Sequence, residues 1–252
     1  MTPAPEPPRL AVVGVSKRYG QTIALSDVSI DFRAGTVHTV LGENGSGKST
    51  LVKLLSGIVF RDSGALRLDG AIFSARRPAE FMAQGFATVF QEVLIAPDRD
   101  VAENVLLGQD GLWRRAVPRR DRNRIAAEAL ARVSRASVPL NARAGDLPLA
   151  LQQIVVIARS LSRAPRILIL DEAAAALDHA DRDTVFAEVE RIARQGGTVI
   201  FISHRMDEVT RLSDRISVLR GGRIVGTFNR NEATVEELLA TMAPERTAAR
   251  HG

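Results

Sequence analysis

The chain has 252 residues, 45% of them hydrophobic and 25% charged, enough apolar material to bury one large core or a main domain with a subdomain. It contains no cysteine, which excludes a disulfide framework, a thiolate metal site and a thiol nucleophile and fits a reducing compartment. Its net charge of +5 is carried mostly by arginine, since only Lys17, Lys48 and Lys53 are lysines.

The start, MTPAPEPPRL, is proline-rich and lacks the charged-then-apolar pattern of a signal peptide, so residues 1–9 read as a short disordered lead. No apolar run approaches the roughly 18 residues of a bilayer-spanning helix, so the chain is expected in the cytosol. RLAVVGVSKRYG and IALSDVSIDFRAG read as two strands around a turn, and GTVHTVLG as a third that runs into a glycine-rich loop. A helix pattern follows in STLVKLLSGIV, then RDSGALRLDG reads as a turn and GFATVFQE as a buried strand.

From Glu92 to about Ala144 the pattern is mostly helical and polar, which marks a subdomain. Within it WRRAVPRRDRNR, 113–124, reads as a solvated loop and helix face, with an acidic partner or lipid headgroups as the alternative. It lacks the interleaved aromatics that stack on bases, so no nucleic acid is expected. DLPLALQQIVVIARSL then gives a helix with proline in its first turn, followed by strand RILIL, helix HADRDTVFAEVERIARQG, strand TVIFIS, helix MDEVTRLS and a two-stranded finish, RISVLRGGRIVGTF. Strands alternating with helices imply an α/β fold with a mostly parallel sheet covered on both faces.

The segment GENGSGKST comprises Gly42, Glu43, Asn44, Gly45, Ser46, Gly47, Lys48, Ser49 and Thr50. It fits G-x-x-x-x-G-K-[ST] with a strand before it and a helix after it, the context a phosphate-binding loop requires. Glycines let backbone N–H groups curl around phosphate oxygens, the helix start adds positive charge, and Lys48 reaches the outer phosphates. Ser49 supplies a hydroxyl for Mg²⁺.

In RILILDEAAAALD an apolar strand ends in Asp171 and Glu172, at the sheet edge where parallel α/β folds bind ligands. Asp171 is expected to hold Mg²⁺ and Glu172 to act as general base toward water; the plainer alternative is an acidic pair capping the next helix. TVIFIS delivers His204 to the same edge, where it can bond a γ-phosphate and align water with the base. Gln91, at the end of GFATVFQ, can reach metal and water by the same argument, with an ordinary turn role as its alternative.

GENGSGKST, FQE, LDE and ISHR in that order resemble the ATP-binding cassette of ABC transporters, over about Leu10 to Met242. The resemblance implies an ABC-type P-loop fold, with an N-terminal antiparallel β part and a helical subdomain at about 92–160 facing membrane-spanning partners. It implies one ATP-binding domain at 10–242, a tail at 243–252, and ATP and Mg²⁺ as cofactors. Tyr19 falls at the aromatic position that stacks on adenine, unless it only packs in the core. GENGSGKSTLVKLLSGIVFRDSG, GFATVFQEVLIAPDRDVAENVLLG and FISHRMDEVTRLSDRISVLRGGRIVG are most similar to the first cassette of bacterial monosaccharide importers of the ribose, galactose and xylose type. That resemblance implies permease subunits, a periplasmic or lipid-anchored solute-binding protein, and a peripheral place on the cytoplasmic face of the membrane.

One motif departs from the family. Where the family writes L-S-G-G-Q, this chain has Leu147, Pro148, Leu149, Ala150 and Leu151. In the family that stretch contacts the γ-phosphate held by the opposite cassette of a head-to-tail dimer. Pro148 brings neither hydroxyl nor N–H, and Ala150 adds a Cβ where close approach is needed. Ala173 and Ala174 replace the family's usual proline and serine or threonine, while Asp178 of the inter-cassette contact remains. A complete phosphate site beside a poor clamp implies a heterodimer with a second cassette; the rival expectation is a regulatory or decayed cassette with little hydrolysis.

Overall fold

The computed structural model describes residues 8–108 and 118–243. Most of the expected lead, the tail beyond Ala243 and the first part of the arginine cluster lie outside the described residues. In chain order the first half gives β1 (Leu10–Tyr19), β2 (Thr22–Phe32), β3 (Thr36–Leu41), α1 (Lys48–Leu55), β4 (Ser63–Leu68), β5 (Ala71–Ile72), α2 (Pro78–Ala83) and β6 (Phe86–Val89). The second half gives α3 (Val101–Leu106), α4 (Arg119–Ala131), α5 (Leu149–Leu161), β7 (Ile167–Asp171), α6 (His179–Arg194), β8 (Thr198–Ile202), α7 (Met206–Leu212), β9 (Arg215–Arg220), β10 (Arg223–Asn229) and α8 (Val235–Met242).

Two sheets result. An antiparallel one runs β2-β1-β4-β5, and a six-stranded one runs β10-β9-β3-β8-β7-β6. In the second, β6, β7, β8, β3 and β9 are parallel and β10 returns antiparallel along the edge. The interior strands β7 and β8 are buried at every residue; covered on both faces, they need apolar side chains on both, so ILIL and VIFI run without alternation. Edge strand β10 instead alternates half-buried with exposed positions, as a strand with one wet face does.

Residues 61–70 correct the sequence reading. They were expected to form a turn, because Asp62, Ser63, Gly64, Asp69 and Gly70 are turn residues, yet Ser63–Leu68 is a strand paired with β1. Only Leu66 and Leu68 of it are buried, too weak an alternation to read against those flanking signals. Proline 148 also stands one place earlier than expected: it is the N-cap of α5, and the helix proper starts at Leu149.

The space between the two sheets is filled by Leu10, Phe32 and Leu66 from the antiparallel sheet, Leu51 and Leu55 from α1, and Ile200 from β8. On the opposite face Leu168, Leu170 and Phe201 of the sheet share one cluster with Phe186 of α6, Ile154 of α5, Val105 of α3 and Leu130 of α4. Full burial of each such Leu or Phe side chain contributes roughly 1.5–3 kcal/mol. The helical layer α3–α5 therefore rests on the sheet through a common core.

His38, on β3, is fully buried, with Nε2 2.9 Å from the Ser217 hydroxyl of β9 and its ring edge-on to Phe32 at 5.0 Å. Burial, reinforced by Arg215, lowers its pKa from 6.5 to about 3. Between those values the unfolded chain takes up a proton that the fold refuses, so stability is fully present above pH 6.5 and falls as the pH drops. From pH 7 to 5 this one group is expected to remove about 2 kcal/mol, and His38→Gln to lose correspondingly less in denaturant titrations at the two pH values.

Candidate nucleotide-binding site

The loop between β3 and α1 owes its shape to its glycines. At Gly47, φ is 110° and an added Cβ would lie 2.5 Å from the Ala24 carbonyl oxygen; at Gly42 it would lie 2.3 Å from that of Leu219. Neither position has room for a side chain. The Ser46 carbonyl accepts from Gly222 N–H at 2.9 Å, and Ser26 N–H donates to Gly222 O at 2.8 Å. The β9–β10 turn and the start of β2 thus brace the loop from outside.

Gly47 caps α1 without any side-chain hydrogen bond, so the helix presents its first N–H groups to the loop with no partner of their own. Such a helix start receives anions. Lys48, only 6% exposed, donates to the carbonyls of Gly42 at 2.7 Å and Glu43 at 2.9 Å. Burial pushes its pKa down, against the pull of Glu172 and Asp171. The buried Ser46 hydroxyl has no hydrogen-bond partner among the described residues. Orphan donors and a desolvated ammonium make a cradle that fits phosphate oxygens. Ser49 and Thr50 follow on the first turn of α1, with Ser49 exposed.

Parallel pairing sets the acidic pair beside the histidine. Asp171, last in β7, is level with Ile202, last in β8, so Glu172 and His204 emerge at the same sheet edge. Nδ1 of His204 lies 2.9 Å from Oε1 of Glu172. Asp171 is 6% exposed, and its pKa is raised to about 6 by burial first and by Glu172 second, with Lys48 and Lys53 opposing. It is therefore mostly ionised at neutral pH, poised to gain from a cation.

Glu172 has φ 49°, a left-handed conformation that costs a non-glycine residue about 1 kcal/mol or more. Its N–H donates to Ile202 O at 3.0 Å, and Gln153 of α5, 3% exposed, donates from Nε2 to Ala173 O at 3.0 Å. The strained turn is held from both sides. No cluster of three or more His, Asp or Glu stands ready to hold a metal among the described residues. The donors present, the exposed Ser49 hydroxyl and the Asp171 carboxylate, suit Mg²⁺, which takes one or two protein ligands and completes its shell with phosphates and water.

The remaining expected residues are less engaged. Gln91 was placed at a strand end, but β6 stops at Val89 and Gln91 lies exposed two residues into the following loop. It shares the sheet edge with Glu172, because Val89 pairs with Leu170. Tyr19, 46% exposed at the end of β1, has the Lys17 ammonium 5.6 Å from its ring centre. Its ring is open to a planar ligand and is not packed in the core. Asp178 is exposed and caps α6, accepting from Asp181 N–H at 2.8 Å.

Before α5, Leu147 is half-buried, Pro148 exposed and Leu149 60% exposed, while Ala150 and Leu151 are half-buried in the first turn. Gln152 Nε2 donates back to Leu147 O at 2.7 Å. Sequence reasoning missed Gln153 and the buried Glu208 of α7. A carboxylate four residues after a histidine is an ordinary helical pattern, so only the fold reveals where Glu208 points.

A glycine-rich loop at a helix start, with a lysine turned into it and a carboxylate pair at the next strand but one, defines a P-loop nucleotide-binding fold. The ABC transporter family model matches residues 25–175. The chain is 42% identical over 235 residues to the ribose import ATP-binding protein RbsA 1 of Rhizobium johnstonii, covering 93% of this chain and 46% of that one. It is 36% identical over 250 residues to the putative ribose/galactose/methyl galactoside import ATP-binding protein 1 of Burkholderia lata, covering 98% and 49%. A nucleotide-free ATP-binding cassette from an ABC transporter superposes with TM-score 0.77 at 25% identity, covering 94% of this chain and 95% of that one. A dimeric cassette in a post-hydrolysis state bound to ADP and phosphate superposes at 0.79 and 24% identity, covering 87% and 98%, a likeness of fold. The chain belongs to the ABC transporter family and carries its ATP-binding domain. It spans about half the length of the curated relatives it matches.

Proposed function

We propose that the chain binds and hydrolyses ATP to drive import of a monosaccharide or similar small solute. The observation that carries this is the meeting of Lys48, Asp171, Glu172 and His204 at one sheet edge, with His204 on Glu172 at 2.9 Å. Glu172 takes the proton of the attacking water, and His204 fixes the carboxylate's direction. Lys48 and the N–H groups of residues 43–50 hold the phosphates, and Tyr19 stacks on the base. Bound through Ser49 and Asp171, with Gln91 in reach, Mg²⁺ would neutralise phosphate charge.

We read residues 10–242 as one ATP-binding domain whose helical part, at about 92–160, faces membrane-spanning subunits. A groove of about 190 Å³ between α5 and the β6 edge supports a protein partner; its lining includes Ile58, Met82 and Phe90 together with Arg159 and Arg163. No helix of the described residues is long and apolar enough to cross a membrane. Separate membrane-spanning subunits hold this chain at the cytoplasmic face, a reading that the relatives' named part in import supports. A separate solute-binding protein, periplasmic or lipid-anchored, would choose the solute. The named roles of the relatives in ribose import support the solute class.

The clamp this chain offers a partner is poor. Pro148 stands where a hydroxyl and a backbone N–H are needed, and Ala150, beside the exposed Leu149, adds a Cβ where close approach is needed; each charge-assisted hydrogen bond forgone costs about 1.5–3 kcal/mol. The working unit is accordingly a heterodimer in which a second cassette supplies the clamp. Titration with ATP, with and without Mg²⁺, checks the binding half of the proposal: saturable binding tightened by Mg²⁺ is expected, and no binding would rule it out.

A further inference from the structure

We propose that Glu208 is a positioning residue for His204, a role that rests on the proposed part of His204 in ATP hydrolysis. His204 is half-exposed, and its one hydrogen bond among the described residues goes to Glu172. It cannot set its own place. Its two neighbours can. Ser203 is 2% exposed and donates its hydroxyl to Oε2 of Glu208 at 2.7 Å, and the same hydroxyl accepts from Arg205 N–H at 3.1 Å. One buried carboxylate therefore pins the backbone on both sides of His204.

Glu208 is 3% exposed, on the first turn of α7. A carboxylate there gains from the helix dipole, which would explain an exposed glutamate but not a buried one. Its Oε1 faces Arg205 Nε at 3.4 Å and a guanidinium nitrogen of Arg182 at 4.0 Å, with no hydrogen bond of its own. Arg182 is itself mostly buried on α6, and its guanidinium lies 2.6 Å from Nδ1 of His179, the residue after Asp178. Glu208 thus joins the histidine-bearing loop to the start of α6.

The test compares Glu208→Ala, Ser203→Ala and Glu208→Gln in the purified chain. Turnover and ATP affinity are measured beside the ring carbon–proton resonances of its four histidines, assigned through His204→Ala. In both alanine variants the His204 resonance is expected to move and kcat to fall about tenfold or more, with the affinity for ATP unchanged. Glutamine still accepts from Ser203, so Glu208→Gln is expected to restore the resonance and most of kcat. The buried His38 resonance reports that the fold is intact, and if Glu208→Ala fails to fold, Ser203→Ala decides. An unmoved His204 resonance and an unchanged kcat in the folded alanine variants would overturn the proposal. Failure of the parent chain to bind ATP would sink the nucleotide reading instead; slow or absent turnover without a second cassette fits the poor clamp, and the resonances then decide the positioning.

Discussion

Replacing Glu172 by glutamine is expected to cut ATP turnover by about a hundredfold or more while leaving ATP binding intact, read as phosphate release beside equilibrium titration. Glutamine keeps the shape and can still bond Nδ1 of His204, but it cannot take a proton from water. Removing a carboxylate next to Asp171 also removes one of the causes that raise the pKa of that residue. Asp171 is then more fully ionised, and metal binding is not expected to suffer. A variant that binds MgATP as tightly as the parent and turns it over just as fast would remove Glu172 from the chemistry.

The second large effect is a gain. Pro148→Ser with Ala150→Gly is expected to raise turnover by about tenfold or more, since even one restored charge-assisted hydrogen bond of about 1.5–3 kcal/mol stabilises the closed pair by that factor. The fold should tolerate the change. Pro148 caps α5 without a side-chain hydrogen bond, whereas serine is a favourable N-cap, and this offsets the cost of glycine in the first turn. Ile154, Ile157 and Leu161 keep α5 in the core whatever its first residues are. The exposed Leu149 is left in place and limits the gain. No rise in turnover, with the variant folded and binding ATP, would show that the start of α5 is not what limits the chain.

The phosphate site was legible because its chemistry is written contiguously. The loop from Gly42 to Thr50 states its own conformation, and apolar strands that run out into Asp171–Glu172 and, two residues past the end of β8, into His204 announce the edge they reach. The contacts that hold those residues were not legible. Gln153 meets Ala173, and Ser203 meets Glu208, through packing that only the fold specifies. Local turn signals hid β4, whose pairing depends on β1, some fifty residues earlier. The short β5 and α2 and the C-terminal α8 were likewise not anticipated. Gln91 illustrates the limit of strand-end reasoning: the apolar run continues to Phe90, but pairing with β7 stops at Val89.

We propose that this chain carries a complete nucleotide site and a deficient clamp. ATP turnover per molecule of the unaltered chain, measured over a wide range of its own concentration, tests that most directly. Slow turnover that stays nearly flat as concentration rises is expected, because two copies meeting head to tail would bring two poor clamps. A steep rise to a fast plateau would mean that the chain pairs productively with itself, and would contradict the need for a second cassette.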